Sequence, residues 1–76
     1  MKTVHYGSVC KDLLTCRVYE KPSILSGLVT YLYPGDIVTI NDEDSTDCYY
    51  KVVCKNGLIG YCLRPHIDSI EKEYNK

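Results

Sequence analysis

The sequence predicts a small all-β barrel, on three observations. The chain has 76 residues, enough for one domain. It reads as short apolar runs, each bounded by Gly, Pro, Asn or Asp, the pattern of a β-barrel or sandwich. The stretch "YYKVVCKNGLIGYC" (49–62) places two such runs on either side of Asn56-Gly57, a strong short-range hairpin signal. Composition agrees: 45% hydrophobic residues suffice for one core and argue against disorder.

Taken in order, "TVHYGSV" (3–9) alternates like a strand, with Gly7 as a bulge or kink. A second extended stretch runs through 14–20, and Pro22 in "EKPS" ends its regularity, because proline cannot donate to a ladder. "GLVTYLY" (27–33) is rich in β-branched and aromatic residues. Pro34 and Gly35 then suit the two central positions of a type II turn. "IVTI" (37–40) is a short strand, and "NDEDSTD" (41–47) is a polar, acidic loop. For the hairpin, Asn56 and Gly57 suit a two-residue type I′ turn. That turn pairs Lys55 with Leu58, Cys54 with Ile59 and Val52 with Tyr61. Tyr50, Val52, Cys54, Ile59, Tyr61 and Leu63 then share the core face, unless a bulge at Gly60 swaps Tyr61 with Cys62. In the tail 68–76, Ile70 and Tyr74 continue from Ile67 at helix-like spacing. The expectation there is a frayed end or a short docked helix.

The charge balance is 9 basic to 10 acidic residues. It offers phosphate no broad attraction, so nucleic acid is not an expected partner. No run approaches the apolar length of a membrane span, and "MKTVHYGSVCKDLL" lacks the apolar core of a secretory signal. A cytoplasmic location is therefore expected, or one within a virion. The five Cys (10, 16, 48, 54, 62) form no C-x-x-C, so neither a disulfide framework nor a zinc site is expected. Cys16, Cys54 and Cys62 read as buried thiols. No cofactor or metal is expected. With only His5 and His66 available and no spacing that brings them to a Cys, catalysis is not expected either.

The aromatic set is eight Tyr with no Trp or Phe. Tyr19, Tyr49 and Tyr61 are the leading candidates for partner contact, against the alternative that they fill a tyrosine-only core and its rim. In the acidic loop, Asp42 and Asp44, with Glu43 and Asp47, form either a solvated turn or a patch that steers toward a basic partner. Ile37 and Val53 lean outward and suit a buried assembly interface.

The order of these elements resembles the bacterial Src-homology-3-like (SH3-like) family, barrels of about five strands. "LTCR" (14–17), "LVTYLYPGDIVTI" (28–40), "YYKVVCKNGLIGYC" (49–62) and "LRPHI" (63–67) carry the likeness, which spans about residues 4–67. Residues 1–67 are then the barrel and 68–76 a tail. Tyr49 and Tyr61 stand where the family often has Trp. The segment "VYEKPSILSG" (18–27) lacks the family's Gly-Pro and is longer; it corresponds to the long loop beside the ligand groove of such domains. The resemblance implies a non-catalytic binding module in one of two versions. The first docks on another protein, as an adaptor, an oligomer or a subunit of a phage or prophage particle. The alternative targets bacterial cell-wall peptide. Free-looking Cys and the altered loop favour the first.

Overall fold

The computed structural model describes residues 2–74, and for residues 2–4 and 71–74 the backbone alone. The strands are β1 (Lys2–Val9), β2 (Cys16–Tyr19), β3 (Leu28–Leu32), β4 (Ile37–Asn41), β5 (Tyr49–Val53), β6 (Ile59–Leu63) and β7 (Ile67–Tyr74). One turn of 3-10 helix, Arg64–His66, joins the last two. All pairings are antiparallel, in a seven-stranded sheet of order β3-β2-β6-β5-β4-β1-β7. The sheet curls around a single cluster to which every strand contributes, from Val9 and Val18 through Leu32, Ile40, Val52 and Cys62 to Ile67. The edges β3 and β7 do not pair with each other among the described residues, so the barrel is approximate.

The strand positions follow the alternation. Ile37, Thr39 and Asn41 are exposed while Val38 and Ile40 are buried, the period of two of a half-covered sheet. The type II turn forms as expected: Gly35 takes φ +90° and Asp36 N–H donates to Tyr33 O at 3.0 Å. Cys16, Cys54 and Cys62 are core residues.

Three expectations are corrected. The first concerns the hairpin. Only Gly57 has positive φ, +88°, so Asn56 does not adopt the conformation a type I′ turn requires. Gly57 N–H bonds Cys54 O, Cys54 N–H bonds Leu58 O, and Leu58 N–H bonds the Asn56 side chain. This is the three-residue loop with a glycine bulge. The register moves by one: Val53 faces Ile59, Val52 faces Gly60 and Lys51 faces Tyr61. A one-residue slip turns the whole second arm over. Gly60 and Cys62 point inward, and Ile59, Tyr61 and Leu63 point outward.

The second correction concerns the tail. Ile67–Tyr74 is a strand that pairs with β1 at all eight positions, from Val9↔Ile67 to Lys2↔Tyr74. It is neither frayed nor helical, and the sheet therefore has seven strands instead of about five. A lone short helix is marginal in water, whereas the ladder pairs this segment with β1 along its length. Residues 75 and 76 lie outside the described residues.

The third correction is Gly7, which sits in unbroken register between Val38 and Ser69. A side chain there would strike Ile67 and approach Asp68 O at 3.2 Å. It is a close-approach glycine and makes no bulge.

Candidate functional site

The predicted contact residues form one patch in part. Tyr19 on β2 and Tyr61 on β6 are direct cross-strand partners. Tyr61 faces Lys51, whose Nζ lies 5.4 Å from the ring centre. Tyr49 faces Leu63, diagonal to Tyr61 on the same side of the sheet. Tyr19 and Tyr49 are each only 9% exposed, so this row is largely packed, with Tyr61 its more open member. Val53 is half-buried between Thr39 and Ile59. Ile37 is 51% exposed and borders a different hollow.

The acidic loop folds back onto its own chain. Asp42 holds His5 Nδ1 at 2.7 and 2.8 Å. Asp44 accepts from Asn41 Nδ2 at 3.2 Å and lies 3.8 Å from Lys51 Nζ. The loop closes one end of the barrel, where His5 meets the Tyr50 ring edge-on and Arg64 lies over that ring at 4.4 Å while donating to Thr46 O at 2.7 Å. Asp42 and Asp44 therefore each have a local partner.

The more open surface surrounds β2 and β3. Arg17 on β2 and Tyr31 on β3 are cross-strand partners, and both are exposed. The phenol of Tyr19, and after it that of Tyr31, holds the Arg17 guanidinium above its ordinary pKa. Thr15, Arg17, Tyr19 and His66 line a hollow of about 260 Å³. The 3-10 turn is tied to the end of β1, where Cys10 N–H bonds His66 O at 3.0 Å, and His66 lines the hollow together with Thr15. On the other side of β3, a hollow of about 330 Å³ is bordered by Tyr31, Tyr33, Ile37, Lys55 and Asn56. Beyond β2, the loop 20–27 is tied by Ser26, whose Oγ bonds Lys21 N–H at 3.2 Å and lies 2.7 Å from Ser23 O. It leaves Ile24 and Leu25 exposed.

The thiols at Cys10, Cys54 and Cys62 have raised pKa values, whereas that of Cys16 is lowered by its hydrogen bond with Cys62. Cys10 Sγ donates to Pro65 O at 3.3 Å and approaches Asp68 Oδ1 at 3.5 Å. Its pKa is raised by partial burial and then by Asp68. Cys62 is pushed up by its hydrogen bond with Cys16 and by burial, and Cys54 is pushed up by burial. Among the described residues, no three His, Cys, Asp or Glu side chains gather as a metal requires.

The fold is similar to that of NlpC2 from Trichomonas vaginalis. The two superpose with a TM-score of 0.70 at 27% sequence identity, over 88% of this chain and 23% of that one. This chain thus spans less than a quarter of that protein's length. No family model matches the chain, and no curated protein matches it. The all-β architecture and this likeness are compatible with an SH3-like domain. Arg17, Tyr31, Tyr33 and His66 were not among the contact residues expected from sequence. Arg17 lay within "LTCR", but nothing local placed His66 beside it.

Proposed function

We propose that the chain is a non-catalytic binding module that holds an extended peptide of the bacterial cell-wall type along β3. The observation that carries this reading is the surface of β3 itself. It is an edge strand, paired among the described residues with β2 alone. Its outward Tyr31 and the following Tyr33 are 46% and 59% exposed and border one hollow, and Tyr31 faces Arg17, which lines another. An edge strand offers unmet main-chain groups to an extended partner, and flanking pockets take alternate side chains. Exposed tyrosines give rigid contact area at small entropic cost. The matched region of NlpC2 is a minor part of a longer chain, which supports an accessory role for this kind of domain. The wall-targeting alternative is thereby favoured over docking within a particle.

Co-sedimentation with purified bacterial cell walls tests the reading. The protein is expected in the pellet, and the Y31A/Y33A variant in the supernatant with an unchanged circular dichroism spectrum. Wild-type protein that stays in the supernatant overturns it.

A second reading, docking on another protein as an adaptor or particle subunit, draws on Leu14 and Leu25. Both are 92% exposed, and exposed apolar groups of this size suit a covered interface.

A further inference from the structure

We propose that the hollow formed by Thr15, Arg17, Tyr19 and His66 is a carboxylate subsite that receives the free C-terminal end of a bound peptide. The inference rests on the peptide-binding reading above and adds the group recognised.

The lining is rich in donors. A guanidinium carries five N–H groups in a planar fork and accepts nothing, and the hydroxyls of Thr15 and Tyr19 and the ring of His66 each have a proton to offer. A hollow so lined is complementary to an acceptor with several lone pairs. The planar fork matches a carboxylate in two-point contact. Arg17 pairs with no carboxylate among the described residues. Its neighbours are the two phenols, which flank the guanidinium without neutralising it.

Several acids of the chain are engaged by other groups. Asp36 accepts from Tyr33 N–H at 2.8 Å, Asp68 faces the Cys10 thiol, Asp42 holds His5, and Asp44 faces Asn41 and Lys51. The net charge of the chain is −1, yet this hollow presents a cation and no bordering carboxylate. Its size also argues for a chain end. About 260 Å³ is just under the range of pockets that enclose a whole small ligand, and it suits a carboxylate with one residue attached. Tyr31, opposite Arg17, provides a ring for the residue before the terminus. The peptide would therefore run along β3 with its end seated beside β2.

The test is a titration of isotope-labelled protein, followed by amide chemical shifts, with N-acetyl-D-alanyl-D-alanine and separately with its C-terminal amide. The free acid is expected to shift signals at residues 15–19 and 66, and to bind about tenfold more tightly than the amide, the loss typical of one charge-assisted contact. Arg17→Gln should abolish that preference without lowering the melting temperature, and Arg17→Lys should retain part of it. Equal binding of acid and amide, with Arg17→Gln indifferent, overturns the carboxylate subsite and leaves the peptide-binding reading standing. Tighter binding of inorganic phosphate than of the free acid also overturns the subsite. Failure of both peptides, together with failure to pellet with cell walls, overturns both readings.

Discussion

Gly60→Ala distinguishes the observed hairpin register from the one a type I′ turn would impose. In the structure Gly60 faces Val52 and points inward beneath β2. A methyl group there would lie 2.5 Å from Val18 Cγ1 and 2.7 Å from Tyr19 O. The valine methyl can turn aside, but the carbonyl belongs to the backbone of β2, close to the Tyr19–Tyr61 pair that joins β2 to β6. Relief therefore requires the two strands to part. Overpacking of this kind costs about 2 kcal/mol. In a domain of this size each kcal/mol moves the midpoint by roughly 4–8 °C, so the melt should fall by roughly 8–16 °C. In the type I′ register Gly60 would point to solvent, and alanine would stabilise the strand by about 0.4–1 kcal/mol through the unfolded chain. The two registers thus predict opposite signs. Thermal unfolding followed by far-ultraviolet circular dichroism reads the difference, and a midpoint equal to or above wild type refutes the observed register. The double variant V18A/G60A should lose less than the sum of its parts, because the removed valine methyls leave room for the new one.

Arg64→Lys removes a planar group that lies 4.4 Å from the Tyr50 ring centre and donates to Thr46 O; the urea midpoint should fall by an amount worth about 1 kcal/mol with unchanged slope. Gly57→Ala forces a side chain into φ +88° and should cost about 1 kcal/mol or more, while Gly57→Asn should cost less, as melting curves of the two variants will show. Asp68→Asn should speed alkylation of Cys10 by a few-fold at pH ~8, measured by mass spectrometry of modified peptides. Asp68 raises the Cys10 pKa, so its loss increases the thiolate fraction below that pKa, and the gain should vanish once pH exceeds both values. Ser26→Ala removes the hydroxyl that ties Lys21 to Ser23; amide exchange should quicken at Glu20 and Ser26, with the midpoint of global unfolding lowered by under about 5 °C.

The sequence conveyed those elements whose signals are local. Alternation from Ile37 to Asn41 and the Pro34-Gly35 pair each carry their own steric reason, and both appear as expected. Asn56-Gly57 was locally ambiguous. The same dipeptide serves a type I′ turn or a type I turn followed by a glycine bulge, and the choice depends on which face of β6 the core accepts. Gly60 decides it, because only a residue without Cβ fits beneath Val18. The last strand was hidden for a related reason. Ile67, Ile70 and Tyr74 fit a helical period, and the partner that makes them a strand lies at the other end of the chain. The candidate site divides in the same way. Tyr19 and Tyr61 were identified by residue type, and the sheet does bring them together. The hollow needed the 3-10 turn to bring His66 back to Thr15, a separation of 51 positions that no motif records.

The β1–β7 ladder bears on how the chain matures. Its first pair, Val9↔Ile67, is separated by 58 positions, and its last, Lys2↔Tyr74, by 72. Among the described strands β1 is made before the others, and until β7 is made β4 is its one partner among them, joined at Tyr6, Gly7 and Ser8. Closing so large a loop is slow. Until it closes, one side of β1 remains an open edge, exposed to whatever extended chain is nearby, including another nascent copy.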